Sequence, residues 1–137
     1  MIDTRRDDMC FACGRNNPIG LKLQFRWEGQ ELVTNLVPGE QFQGYPGIVH
    51  GGIIGTILDD LMANLLIQRG IPAVTASISI QYRLPVPVGE HVSAHARIVK
   101  DGGRVVDTEG DIRLADGRVA ASARARFVRL DIEKEGS

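Results

Sequence analysis

Residues 46–62 read PGIVHGGIIGTILDDLM, a glycine-rich loop that runs into an apolar segment with two adjacent carboxylates. From residue 53 to residue 66 the apolar side chains recur at the three- and four-residue spacing of a helix, and Gly70 and Pro72 end the pattern. The sequence therefore predicts one long helix over residues 53–69. A helix this apolar is expected to be covered on most sides, by a sheet and by a partner subunit.

Alternating apolar and polar residues predict strands on both sides of this helix. The expected strands are residues 21–27, 31–37, 73–84, 88–100, 104–114 and 118–130. Glycine-containing turns at residues 29–30, 101–103 and 116–117 are typical of hairpins. The order of two strands, a helix and four strands predicts an α+β fold, in which one long helix packs on an antiparallel sheet.

The chain is expected to form one domain over residues 1–137, with an arm and loop at 1–20 and a flexible tail at 131–137. Its 16 Lys and Arg residues nearly balance 17 Asp and Glu residues, so bulk charge does not favour nucleic acid. No apolar run reaches the roughly 18 residues of a membrane span, and the N-terminus lacks a signal-peptide pattern. We therefore expect a cytoplasmic protein.

Three motifs together resemble one family. His50-Gly51-Gly52 is followed by an apolar helix with Asp59 nine residues after the histidine. Residues 10–14 and 17–21 read CFACG and NPIGL, and residues 82–90 read YRLPVPVGE. Over residues 10–130 the chain is similar to hotdog-fold thioesterases of the phenylacetic-acid-pathway type.

This resemblance implies a hotdog fold, in which a sheet wraps around a central helix. It also implies that the protein hydrolyses an acyl-coenzyme A without a cofactor. It also implies a homodimer or homotetramer, with Gly51 and Asp59 of different subunits facing each other across the pocket. Two other functions of the same fold remain open, a non-catalytic acyl-coenzyme A binder and a dehydratase or hydratase. The Asp-x-Asn-Pro-x-His motif of one hydratase type is absent. The acyl group is not indicated by the sequence.

The helical periodicity does not indicate which of the two adjacent carboxylates has a functional role. Asp59 and Asp60 flank the apolar stripe on opposite sides, and adjacent helix residues diverge by about 100°, so they are not expected to share a site. The resemblance assigns Asp59 as general base or nucleophile. Asp60 is then expected to be paired, solvated or in contact with substrate.

The start of the helix is the second part of the predicted site. No Ser, Thr, Asp or Asn cap precedes it, so the backbone N–H groups of Gly51 and Gly52 are expected to be available to a thioester oxygen. A simpler reading is that glycine suits a strained turn. His50 is expected either to bind substrate or to brace the loop.

Four further residues are weaker candidates. By resemblance, Thr75 holds the attacking water, although a threonine also suits any strand. Gln43 and Gly44 lie where relatives place an asparagine that binds the carbonyl, and Gln43 is the available substitute because Gly44 has no side chain. Arg83 is a candidate contact for a coenzyme A phosphate, or a simple surface residue.

Cys10 and Cys13 form a C-x-x-C pair. A structural zinc site normally needs two further ligands, and the three histidines of the chain do not form a recognisable second pair. The sequence therefore predicts no metal, and packed, reduced thiols.

Overall fold

Six strands form one antiparallel sheet and a single long helix packs on one of its faces, in a computed structural model that describes residues 8–130. The expected α+β architecture is confirmed. Of the arm and loop predicted at residues 1–20, residues 8–20 form neither helix nor strand, and residues 1–7 lie outside the described residues, as does the tail predicted at 131–137. The elements in chain order are β1 Phe25–Glu28, β2 Glu31–Leu36, a 3₁₀ turn Glu40–Phe42, α1 Gly51–Gln68, β3 Ala73–Tyr82, β4 Val92–Asp101, β5 Val105–Leu114 and β6 Val119–Arg129.

The strands lie in the order β1-β2-β4-β5-β6-β3, so β3 crosses over to the far edge of the sheet. The three predicted hairpins are confirmed as the β1–β2, β4–β5 and β5–β6 pairs. Gly117, in the β5–β6 turn, has a φ of 90°, a conformation that glycine adopts without steric cost.

The core lies between α1 and the sheet. Leu58, Leu61 and Met62 on the helix are fully buried, as is Phe127 on β6. Gly110 on β5 lies beneath the helix; a Cβ there would be at an ordinary 3.5 Å from the Leu58 side chain but only 2.9 Å from the His95 carbonyl oxygen of β4, so the neighbouring strand and not the helix disfavours a larger residue. The predicted burial of the helix against the sheet is therefore confirmed.

The first predicted strand is shorter than expected. Lys22 has a φ of 54°, which a continuous strand does not allow, so β1 begins only at Phe25. Leu23 is nevertheless buried in the core together with Ala12, and its N–H donates to the Ala12 carbonyl in the N-terminal loop. Leu23 fits the alternating apolar pattern of residues 21–27 because it packs in a loop, and not because it pairs in a strand.

Trp27 also departs from the expected pattern. The residue is 41% exposed, and the Arg69 guanidinium lies over its ring, 5.0 Å from the ring centroid. In residues 8–130 we find no helix with the length and apolar character needed to cross a membrane.

Candidate functional site

The helix α1 begins at Gly51, two residues earlier than the periodicity predicts, and His50 is its N-cap. The His50 Nδ1 atom accepts a hydrogen bond of 2.8 Å from the Gly52 N–H. The expectation that both glycine donors are uncovered is therefore wrong for Gly52, because a histidine replaces the usual small capping residue. The Gly51 N–H has no hydrogen-bond partner among the described residues and lies at the positive end of the helix dipole.

The loop before α1 holds His50 in place. The Gly44 N–H donates to the Ile48 carbonyl, and a Cβ on Gly44 would come within 3.1 Å of the His50 Cα. The Gln43 Oε1 accepts a hydrogen bond of 3.1 Å from the Gly47 N–H. Gln43 and Gly44 therefore form these hydrogen bonds with other residues of the same loop.

Asp59 and Thr75, predicted separately from the sequence, meet in the structure. The Thr75 hydroxyl donates a hydrogen bond of 2.8 Å to Asp59 Oδ1. Asp59 lies in the middle of α1 and is half-buried, whereas Thr75 lies on the exposed edge strand β3. The carboxylate is thus held at the boundary between the core and solvent.

A β-bulge turns Thr75 toward the helix. Thr75 pairs with Phe127, which is fully buried, whereas Ser77 pairs with the exposed Arg126, leaving Ala76 as the extra residue. Directly paired residues share a face of the sheet, so Thr75 faces the helix and Ser77 faces away from it. Without the bulge both side chains would lie on one face, and Thr75 would not reach Asp59.

Asp60 has a different environment. The residue is only 8% exposed; its Oδ1 atom contacts Cys10 and Cys13 of the N-terminal loop, and its Oδ2 atom lies 3.2 Å from Asn64. The two adjacent carboxylates are therefore separated as expected. The Asp60 side chain is buried beneath the loop, away from the Asp59 and Thr75 side chains. This position does not favour the suggested contact of Asp60 with substrate.

Tyr82 lies at the site although the sequence analysis gives it no individual role. Its hydroxyl donates a hydrogen bond of 2.8 Å to the Gly51 carbonyl, which attaches the start of α1 to the end of β3. The alternation of Ile78, Ile80 and Tyr82 along β3 was the available signal, because it puts all three side chains on the helix-facing side.

Two adjoining clefts, of about 410 and 300 Å³, open beside Gly51. Tyr45 and Val49 line both clefts, and Arg83 lines the smaller one. Of the weaker candidates, Gly44 lines the larger cleft and Arg83 the smaller one, so both lie close to the start of the helix.

Within one chain, the two halves of the predicted site are far apart. Gly51 and Asp59 are eight residues apart on α1, which at 1.5 Å per residue is about 12 Å. One thioester group cannot contact both Gly51 N–H and Asp59 of the same helix.

A six-stranded antiparallel sheet around one central helix is the architecture of the hotdog class. Residues 46–121 match the family model described as the thioesterase superfamily. The chain belongs to this superfamily.

Two curated relatives carry acyl-coenzyme A thioesterase names. The chain is 36% identical over 97 residues to acyl-coenzyme A thioesterase THEM4 of Mus musculus, covering 70% of this chain and 42% of that protein. It is 33% identical over 97 residues to acyl-coenzyme A thioesterase 13 of Homo sapiens, covering 69% of each. The chain therefore spans less than half the length of THEM4.

Solved structures agree in fold. RHA08564, a thioesterase superfamily protein, superposes with a TM-score of 0.84 at 28% identity, covering 88% of this chain and 60% of that one. The PaaI protein of the E. coli phenylacetic acid degradation operon gives 0.75 at 19% identity, covering 80% of each chain. The smu.793 protein of Streptococcus mutans, bound to acetyl CoA, gives 0.74 at 22% identity, covering 79% of this chain and 88% of that one. The resemblance inferred from the motifs is thus confirmed.

Proposed function

We propose that this protein hydrolyses an acyl-coenzyme A thioester to a free carboxylic acid and coenzyme A. The observation that carries the proposal is the hydrogen bond between Thr75 and Asp59, which fixes a half-buried carboxylate beside a hydroxyl group. The acyl-coenzyme A thioesterase names of two relatives support the same chemistry.

Asp59 acts on the thioester carbonyl carbon by one of two routes. It removes a proton from a water molecule, which then attacks the carbon, or it attacks directly and forms an anhydride that water hydrolyses. In both routes the carbon–sulfur bond breaks, coenzyme A leaves as a thiolate that takes up a proton, and one water molecule is consumed. Thr75 orients the carboxylate and is close enough to hold the water.

The Gly51 N–H stabilises the negative charge that develops on the thioester oxygen. It is a backbone donor at a helix start, without a partner in residues 8–130, and it adjoins a cleft. Because Gly51 and Asp59 of one chain are about 12 Å apart, the Gly51 donor that serves a given Asp59 comes from a second copy of the chain.

The strand β3 is the proposed contact between the two copies. It is a ten-residue edge strand whose residues 75–79 are all exposed, and Ile78 on it is 37% exposed. A long edge strand with an exposed apolar side chain favours pairing with another strand. Pairing there brings the Asp59–Thr75 site of one copy next to its partner, in a dimer or a dimer of dimers.

The direct test is release of free thiol from a panel of acyl-coenzyme A substrates with short, branched, aryl and medium acyl chains. We expect turnover with at least one substrate, lost in Asp59→Asn. The matched control is Asp116→Asn, which alters an exposed carboxylate in the β5–β6 turn, 54% exposed in its side chain. Tight binding of the panel without any thiol release would instead make the protein an acyl-coenzyme A binder.

A further inference from the structure

A second cluster of polar side chains lies on the other flank of α1, outside the proposed active site. Asp60 Oδ1 lies 3.6 Å from Cys10 Sγ and 3.8 Å from Cys13 Sγ. One potential ligand atom from each of the three residues lies within 4.8 Å of the others. The carboxylate is buried and both cysteines are half-buried, so the cluster is enclosed between the N-terminal loop and the helix.

The sequence predicts no metal because it shows no recognisable ligand pair beside Cys10 and Cys13, whereas the fold brings Asp60 to them. We propose that Cys10, Cys13 and Asp60 bind one zinc ion. Zinc takes thiolate sulfur at about 2.3 Å and carboxylate oxygen at about 2.0–2.2 Å in a tetrahedron. With these bond lengths and the tetrahedral angle, the sulfur and the oxygen are about 3.6 Å apart. The two observed distances, 3.6 and 3.8 Å, need little adjustment to reach this value. Residues 8–130 supply three of the four ligands of the tetrahedron.

The ligands are themselves held in orientations that suit a metal. Asn64 is buried and donates to Asp60 Oδ2 over 3.2 Å and to the Asp60 carbonyl over 2.8 Å, which turns Oδ1 toward the sulfurs. The Cys13 N–H points at Cys10 Sγ over 3.5 Å, a contact that stabilises a thiolate. Hydrogen bonds of this kind to carboxylate and sulfur ligands are typical of metal sites.

The loop that carries the cysteines has a fixed shape. A Cβ on Gly14 would come within 2.4 Å of the Cys10 nitrogen and 2.5 Å of the Asp8 carbonyl oxygen, so only glycine fits after Cys13. The loop is also joined to residues 21–23 by two hydrogen bonds of 2.9 Å. The two sulfurs are thereby presented together to the helix before any metal binds.

The ion ties the N-terminal loop to α1 at the residue next to Asp59. Its role is structural, because none of the three ligands lines the clefts beside Gly51, and the hydrogen bond of Thr75 goes to Asp59 and not to Asp60. Thiolate ligands in a tetrahedral arrangement favour zinc over the hard cations magnesium and calcium.

The first experiment measures the metal in the full-length protein, purified in reductant without chelator. We expect one zinc per chain by elemental analysis. Cobalt(II) exchanged into the site should give the absorption of thiolate-to-cobalt charge transfer. Since the chain has only two cysteines, both thiols should resist a thiol reagent until a chelator is added. Chelation should also lower the melting temperature by at least about 3 °C.

The variants Cys13→Ser and Asp60→Asn should lose the zinc and the cobalt spectrum, whereas Asp59→Asn, which alters the adjacent carboxylate, should retain both. Folded, reduced protein that contains no zinc and gives no thiolate–cobalt absorption would overturn the proposal, and this result needs no variant. A Cys10–Cys13 disulfide in the zinc-supplied protein, or a folded Asp60→Asn chain with unchanged metal content, would overturn it as well.

Discussion

Thr75 Oγ1 lies 2.8 Å from Asp59 Oδ1, and this contact joins the edge strand β3 to the middle of the central helix. It uses one carboxylate oxygen only. The other oxygen, Oδ2, has no protein partner among the described residues and is available to a water molecule or a thioester. The Asp59 carboxylate thus has a fixed orientation, and its Oδ2 atom is available to react.

Replacing Asp59 with asparagine should reduce kcat by a factor of at least about 10², because the amide keeps the size of the side chain but is neither a base nor a nucleophile. Thiol release under substrate saturation measures the effect, and circular dichroism should show an unchanged fold. Full activity in Asp59→Asn would refute the carboxylate mechanism.

Asp60→Asn should reduce kcat much less than Asp59→Asn, because the Asp60 side chain points about 100° away around the helix and faces the cysteine loop. Its main effect should be a lower melting temperature, since Asp60 is buried and connects the loop to α1. Rates should be compared well below both melting temperatures. An inactive Asp60→Asn beside an active Asp59→Asn would show that the assignment is off by one residue.

Thr75→Val removes the hydroxyl and keeps the shape. A hydrogen bond to a charged group contributes about 1.5–3 kcal/mol, so we expect kcat to fall at least about tenfold if the bond is maintained in the transition state. Ser79→Ala is the matched control, because Ser79 pairs with the exposed Arg124 on the side of β3 that faces away from the helix. Equal effects of the two variants would argue against a role for Thr75 in catalysis.

Gly51→Pro removes the Gly51 N–H, the proposed hydrogen-bond donor to the thioester oxygen, with little change in the helix. Proline is favoured at the first helical position, and the His50 ψ of 135° suits a residue that precedes proline. We expect kcat to fall by about 10²–10³, the usual cost of losing one oxyanion donor. Gly51→Ala keeps the N–H and places its Cβ at an ordinary 3.5 Å from the Tyr82 ring, so its loss should be much smaller. Similar rates for the two variants would exclude the Gly51 N–H as the donor.

Mixing subunits tests whether the site is shared. Asp59→Asn and Gly51→Pro chains are unfolded together, refolded and assayed. If each site takes Asp59 from one chain and Gly51 from its partner, half of the dimers are mixed and one of their two sites is intact. About one quarter of the native activity should then return. Light scattering should show a dimer or tetramer, and a stable monomer without restored activity would refute the shared site.

Much of the fold could be predicted from the sequence because it follows from local spacing. The 3.6-residue periodicity of α1, the alternation in β3 to β6 and the glycine turns each depend on residues close together in the chain. The predictions that were wrong also have local causes. Lys22 adopts a positive φ that no pattern of hydrophobicity reports, and His50 caps a helix in place of the usual small polar residue.

The sequence by itself determined the class of fold, the glycine at the helix start and the pair of candidate carboxylates. Only the tertiary structure decided which partner each carboxylate has. A bulge at Ala76 turns Thr75 toward Asp59, and loop packing brings Cys10 and Cys13, 50 and 47 residues away in sequence, onto Asp60. Periodicity gives the direction of a side chain around its own helix or strand, whereas its partner depends on how separate segments pack together to bury apolar surface.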